Sequence, residues 1–523
     1  MPAAVLVVGL DAAEATLIER WAGEGELPTL SALASRAASF RLENCLETLP
    51  AGIWSELTSG RSSARTGFYF YSGQIHSGEA GVRAVVPEEV DPTTYWSLAS
   101  AAGLRVAAID MTMTVRVPDF NGLQLLEWGT HDRVFRTESG PDDLLPYVRS
   151  RYGDHPVHSP GRTCDKHAKS TAAFTDLLDR LHDGVERKAA LLGDLLGQEQ
   201  WDLFTCAFGE THCAGHQFWQ LWEDADAGAG DNDRLGYALR SVYKRVDSAL
   251  GDLIRAAGPD ATVVVVTSHG MGPVTGGPQL LPELLVRLGF GSGSGPLAQF
   301  RSRLPIGARS LVRRLLPRPA LEPLRLAAAS LPEPLTTPRT RAVAVENDRI
   351  GAIRLNLRGR DPNGTVEPGS HAAAIVEELR EELLRLEHPS TGERIVSAVL
   401  DADEVFPPDR HANLPDILVR FRTDIGPIDA CRSPRAGVLR VSVDAPHYLS
   451  RTGEHTPASR LWIAGPSVPG GGKHETANAL DLAPTILALL NVEQPALLEG
   501  MSLVALERIP FLAERDGGID LVL

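Results

Sequence analysis

No window of eighteen apolar residues occurs in the 523-residue chain, so no segment is expected to cross a membrane as a helix. Cysteine is scarce as well. The five present, at 45, 164, 206, 213 and 431, are odd in number and too thinly spread for a disulfide framework in a chain of this size. The first apolar run, Val5 to Leu10, has no basic residue ahead of it and is closed by Asp11, which argues against a secretory leader. A reducing, cytoplasmic setting with all five thiols free is the expectation. Basic residues are also outnumbered, 51 Lys and Arg against 67 Asp and Glu, giving a formal charge of −16. That balance argues against a general affinity for nucleic acid or anionic membranes.

What remains is a globular composition, 43% hydrophobic and 23% charged, long enough for one large α/β domain carrying insertions. Val5 to Leu10 reads as a strand that delivers Asp11 at its carboxyl end, where ligands collect in open α/β sheets. Asp11 with Glu14 also has the form of a capping box. Leu104 to Asp110 is a similar strand ending in an acid, and Leu123 to Trp128 ends in Gly-Thr-His-Asp132. The four valines of Ala261 to Thr267, flanked by threonines, read as a central strand buried on both faces, and they lead directly into His269 and a glycine loop.

The densest chemistry follows the apolar run Leu203 to Phe208. Glu210, His212 and His216 lie within seven residues, with Gly209 and Gly215 expected to permit sharp turns. If the segment is helical from Thr211, the two histidines share one face four residues apart, the separation that lets two imidazoles hold one metal ion. A surface pair, or a satisfied pair in the core, has the same spacing. Cys213, between them, fits a soft ligand or a small packing residue.

Thr48 precedes Pro50, where a helix is expected to open. Its hydroxyl can cap that helix, or act as a nucleophile whose developing charge the helix N-terminus holds. His155, His158 and His167, near Arg162 and Lys166, fall in a loop-like stretch that can border a site, although loop histidines usually face solvent. His474 lies in a glycine-rich loop. Residues 301 to 340 carry eight arginines, two glutamates, no lysine and no aspartate, which suits a basic lid over an anionic substrate or a solvated face.

In this order the pieces resemble the alkaline phosphatase superfamily, specifically its type I phosphodiesterase/nucleotide pyrophosphatase branch. The residues that carry the resemblance are Gly9-Leu10-Asp11, the Pro50 to Gly60 stretch, Glu210 to Trp219, Ser268-His269-Gly270-Met271, Gly351 to Arg360, Gly453-Glu454-His455 followed by Ala464-Gly465-Pro466, and Asp481 to Leu487. The resemblance implies a three-layer α/β/α sandwich with a mixed central sheet and an inserted cap region. It places the core at 1–273 and 386–523 and the cap at 274–385.

The resemblance further implies one or two divalent cations, usually zinc, and a threonine or serine that attacks phosphorus. Carried over, Asp11 and His269 ligate the ion on the nucleophile side, and His216 and His455 the other. His212 stands where the family has an acid, and remains a competent ligand. Ser268 stands where the family has an acid before His269, and is a poorer one. The family's Thr-x-Pro form falls on Thr48, with Ser55 as the alternative. Thr66-Gly67 replaces a histidine-glycine pair. Thr48 and Glu210 are the expected catalytic residues, in metal-assisted hydrolysis of a phosphodiester, phosphomonoester or related ester of a small anionic substrate. Water is the alternative attacking group. A sulfatase-like reaction, or anion binding without turnover, are the alternative functions.

Overall fold

The computed structural model describes residues 3–504 apart from 72, 80, 132–133, 159–169, 229–233, 292–332, 335–338, 442–450 and 469–474. Cys164, the stretch from Arg162 to His167, His474 and nearly all of the arginine-rich segment lie outside the described residues.

Nine strands form the central sheet. Their order is Glu475–Asn478, Ala38–Glu43, Arg460–Ala464, Thr262–Thr267, Ala3–Leu10, Trp201–Phe208, Val106–Ile109, Gly122–Leu126 and Glu138–Gly140. From Thr262–Thr267 to Gly122–Leu126 the neighbours are parallel. Arg460–Ala464 runs antiparallel to both its neighbours, and Glu138–Gly140 is antiparallel to Gly122–Leu126, so the sheet is mixed.

Side-chain alternation along the strands builds the layers. Leu6, Val8 and Leu10 join Val263, Val265, Phe204 and Phe208 in one hydrophobic cluster, covered by the helices Ala15–Gly23, Thr171–Gln198, Glu210–Asp226 and Ala238–Ala257. Val5, Val7, Val264, Val266 and Leu203 enter a second cluster under Ile53–Ser59, Tyr95–Ala101 and Leu482–Leu489. The four valines divide two and two between the faces, which is why their strand shows no polar alternation. The result is an α/β/α sandwich.

An inserted unit has its own antiparallel sheet, in the order Ala342–Val345, Gly351–Leu355, Ile417–Phe421 and Val396–Asp401. It packs with the helices Leu281–Arg287 and Ser370–Leu384 around a separate apolar cluster that extends from Leu280 to Leu439. Because Gly351–Ile353 pairs with Ile417–Val419, this sheet draws strands from both sides of the boundary expected at residue 385. Among the described residues no helix is long and apolar enough to cross a membrane.

Three local expectations give way to different physics. Glu14, not Asp11, caps the first helix, its carboxylate accepting from the Thr16 amide at 3.1 Å. A 3₁₀ turn, Pro50–Gly52, intervenes before the helix Ile53–Ser59, so the cap position falls on Leu49 and Thr48 caps neither. Gly215 makes no turn. It sits inside the helix Glu210–Asp226, where a Cβ would stand 2.7 Å from the Met271 side chain, so glycine permits the close approach of the loop after His269.

Gly9 plays the same part in the first strand. A Cβ there would lie 2.6 Å from Cη2 of Trp54, whose indole crosses the strand to reach Asp11. Gly9→Ala is therefore expected to destabilise the protein by about 1–3 kcal/mol through overpacking. Urea unfolding of the variant checks this, and an unchanged midpoint would show that the indole is free to move.

Candidate metal centre

Asp11 sits where two central strands end together, its amide bonded to the Phe208 carbonyl at 3.0 Å. Its carboxylate is buried and fully occupied. Oδ1 accepts from the Trp54 indole at 2.7 Å and from the Ser268 hydroxyl at 3.2 Å, while Oδ2 accepts from Nδ1 of His212 at 2.8 Å. The helix Glu210–Asp226 starts beside it and presents His212 and His216 on one face, as the four-residue spacing predicts. His269 leaves the end of Thr262–Thr267, and His455 comes from the strand Gly453–Thr456, which pairs with Gly270–Pro273.

The ring protons decide what this cluster can hold. Nδ1 of His212 faces the Asp11 carboxylate, Nδ1 of His216 faces the Gly453 carbonyl at 2.8 Å, and Nδ1 of His455 faces Oδ2 of Asp348 at 2.7 Å. Each partner only accepts, so each Nδ1 carries the hydrogen and each neutral ring leaves a bare lone pair on Nε2. Those lone pairs converge. Nε2 of His212 lies 2.8 Å from Nε2 of His216 and 2.9 Å from Nε2 of His455. One added proton on His455 would satisfy one of these contacts and leave the other repulsive.

Burial, reinforced by neighbouring positive groups, holds His212 and His216 well below the usual imidazole range, so extra protons are costly there. His269 is pushed down to about 3, by burial first and then by His455, and its Nε2 is buried without a hydrogen-bond partner. Its Nδ1 is linked through the Ser268 hydroxyl, 2.9 Å away, to Asp11. Unprotonated nitrogens turned inward, each with its other nitrogen anchored outward, form the donor set of an imidazole metal site. The residues present fit a divalent ion. The ligand atoms gather in two overlapping groups that share His212, one with His269 and His455 and the other with His131 and His216, all within 4.8 Å in each group.

Asp11, expected among the ligands, is not in either group; its oxygens accept from Trp54, Ser268 and His212. Its Oδ2 fixes the tautomer of His212. Asp348 does the same for His455. Although burial opposes it, the neighbouring His455 holds the Asp348 carboxyl below the ordinary range.

Glu210 is elsewhere. Fully buried, it meets Nε2 of His155 at 2.9 Å and lies 3.9 Å from the Lys188 ammonium, which is 3.3 Å from Asp110. Thr48 is joined to the cluster only through neighbouring residues. Its hydroxyl donates to the Cys45 carbonyl at 3.1 Å and its own carbonyl accepts from Asn347 at 2.7 Å, one residue from Asp348. On the same loop, the Asn44 amide reaches the Ser268 carbonyl at 3.4 Å. Arg354 and Asn356 are buried and bind Asp361 and backbone carbonyls, which makes them structural.

His155 and His158, in the stretch read as a possible border of the site, are buried rather than solvent-facing. Sequence reasoning also gave no role to Asp348, His131 or Lys188. His131 carried a weaker signal than Asp11, since it lies in the loop that follows the strand Gly122–Leu126 rather than directly at its end. Asp348, in the left-handed region at φ 51°, lies in the turn between two strands of the inserted sheet, and nothing local marks it as a partner of His455.

The family model for type I phosphodiesterase / nucleotide pyrophosphatase matches residues 5–465, and the chain belongs to that family. It is accordingly a phosphoric ester hydrolase by class. No curated protein matches the sequence. Similar solved structures include murine ectonucleotide pyrophosphatase / phosphodiesterase 5, at 12% identity over 94% of this chain and 96% of that one with a TM-score of 0.47. Phosphonoacetate hydrolase from Sinorhizobium meliloti 1021, in complex with phosphonoformate, is 14% identical over 94% of this chain and 96% of that one, with a TM-score of 0.48.

The buried charges behind the cluster generate a stability prediction. Burial pushes the Lys188 ammonium down, but Glu210 and Asp110 outweigh it and hold it above its ordinary value. Burial likewise raises Glu210, yet Lys188 and His155 bring it below the usual carboxylate range. Lys188→Met would strand two buried carboxylates, at an expected cost of about 3–5 kcal/mol. In the native protein the Glu210 contribution is complete above the pKa of an unfolded glutamate, about 4.3, and disappears as pH falls through the depressed folded value. Urea unfolding from neutral pH downward tests both statements: the variant should be the less stable at neutral pH, and the gap should narrow in acid.

Proposed function

We propose that the protein hydrolyses a phosphodiester, phosphomonoester or related ester of a small anionic substrate at the imidazole cluster, with a divalent ion of the zinc class. The observation that carries this reading is the convergence of Nε2 atoms from His212, His216 and His455, with the unpartnered Nε2 of His269 beside them. Imidazole nitrogen suits zinc and its first-row neighbours better than magnesium or calcium. Bound there, such an ion supplies Lewis acidity toward a phosphoryl oxygen.

The chain's own residues would do the rest. Thr48 is the proposed attacking group: its oxygen bonds to phosphorus while its proton ends on the departing ester alcohol, and water then adds to phosphorus and returns a proton to the threonine oxygen as the phosphate leaves. Its loop is tied to the cluster from both sides, by Asn44 at the Ser268 carbonyl and by Asn347 at its own carbonyl. Asp11, Asp348 and Ser268 hold ring orientation and protons. Glu210, with its contacts to His155 and Lys188, serves as a positioning residue behind the helix. The positive charge of Arg451 acts on His212, His216 and Asp348, which supports an anionic substrate. We place the protein in the cytoplasm, a reading supported by four free thiols among the described residues.

Ser268 favours a second reading, anion binding without turnover, because it removes the acid that family members place before the histidine. Two measurements separate the readings. Elemental analysis of protein purified without added metal is expected to find zinc or a related ion, and His212→Ala to lose about one equivalent of it. Thr48→Ala is expected to lower turnover of a bis-aryl phosphate at least about a hundredfold, some 2.7 kcal/mol of barrier, while keeping its metal and its fold. Unchanged turnover would transfer the attack to water. No turnover in the native protein with metal present would leave the binding reading.

A further inference from the structure

Beside the all-nitrogen cluster, Cys213 of the same helix meets a second group of donors. Sγ of Cys213 lies 2.9 Å from Nδ1 of His131 and 2.9 Å from Nε2 of His158, and all three side chains are buried. One ligand atom from each lies within 4.8 Å of the others. The three residues come from separate parts of the chain: the loop after Gly122–Leu126, the loop before residue 159, and the helix Glu210–Asp226.

The proton of His158 is constrained in the same way as those of the larger cluster. Nδ1 of His158 is 3.0 Å from the Gly129 carbonyl, which only accepts, so the hydrogen is on Nδ1 and the Nε2 lone pair points at sulfur. That carbonyl also takes a hydrogen bond from Lys188 at 2.8 Å, which fixes it in place. The ring of His155 stacks on that of His158 at 4.8 Å between centroids, and the His158 amide donates to Nδ1 of His155 at 3.1 Å, so the orientation of His158 is fixed by its neighbours.

A neutral thiol can donate to Nε2 of His158 and accept from Nδ1 of His131, each 2.9 Å away. A thiolate facing two imidazoles is, by contrast, a complete set of three soft and borderline donors for one tetrahedral ion. Around zinc, with Zn–S about 2.3 Å and Zn–N about 2.0–2.1 Å, nitrogen and sulfur stand about 3.5 Å apart, so the trio needs to open by only about 0.6 Å. A neutral His158 ring with its far nitrogen held by a backbone carbonyl is the arrangement that metal-ligating histidines adopt.

We propose that His131, His158 and Cys213 form a second metal-binding site, taking one zinc-class ion through two nitrogens and a thiolate, with the fourth position open to water or another small donor. The site joins two loops to the helix that carries His212 and His216. It adjoins the first cluster, since His131 stacks on His212 with ring centroids 3.8 Å apart. It does not depend on the hydrolytic reading.

The experiment uses the full chain, expressed in medium in which cobalt replaces zinc, so that no metal has to be stripped. The first cluster contains no sulfur, so a sulfur-to-cobalt charge-transfer band in the near ultraviolet reports the Cys213 site alone. The native chain is expected to show that band. Cys213→Ser is expected to abolish it and to lower bound metal by about one equivalent, with the nitrogen-bound cobalt spectrum kept. Absence of the band in the native chain, or its persistence in Cys213→Ser, overturns the proposal. Should that variant fail to fold, His158→Gln serves in its place: its band must be weakened or shifted, and an unaltered band overturns the proposal equally.

Discussion

Each histidine of the cluster has one nitrogen held by an acceptor behind it, and that constraint turns the other nitrogen inward. The three acceptors come from different places. Asp11 closes the first strand of the central sheet, the Gly453 carbonyl opens a strand paired with the loop after His269, and Asp348 lies in a turn of the inserted sheet. The inserted unit is thus more than a cover. Without its Asp348 carboxylate the tautomer of His455 would be unspecified, so the donor set is complete only when both units are packed together. Gly9, Trp54 and Gly215 belong to the same constraint: the indole that crosses Gly9 holds Asp11, and the bare face at Gly215 lets the loop after His269 approach the helix.

Behind this layer lies a second one made of charge. Lys188, Asp110, Glu210 and His155 are all buried, and a lone charge at any of those positions would be costly. As a group they tie the helix Thr171–Gln198 to the start of Glu210–Asp226 and to the Gly129 carbonyl, from which His158 takes its orientation. On the proposed reading Glu210 would act on the imidazole-bearing face through these contacts without lying on it, as a positioning residue.

The parts of this arrangement that were legible in the sequence are those with a short-range signature. Asp11 and His269 follow apolar runs, and His212 and His216 are related by one helical turn, so period and strand-end rules suffice to find them. The four valines announce a strand buried on both faces for the same reason. His158 and Asp348 have no such signature, because what buries one and aims the other is a partner far away in the chain, Gly129 or His455. The departures at Thr48 and Gly215 are of a different kind. Proline before an apolar run does mark a helical start, but it opens a 3₁₀ turn capped at Leu49, and the helix that follows has its cap at Gly52. Glycine after a strand usually means a turn, but here it means close packing.

Ser268 bears on how many ions the nitrogen cluster can hold. An acid at that position would add a negative charge beside Asp11, whereas serine adds only a hydroxyl, which is used to join Asp11 to His269. The ring donors are neutral, and the carboxylates hydrogen-bonded to them are Asp11 and Asp348, two negative charges in all. One divalent ion is balanced by that pair. A second would bring two further positive charges into a buried site already facing Arg451, where like charges are poorly screened. On the proposed reading, one ion in this cluster would be matched by Asp11 and Asp348, and an incoming anion would meet the positive charge of Arg451.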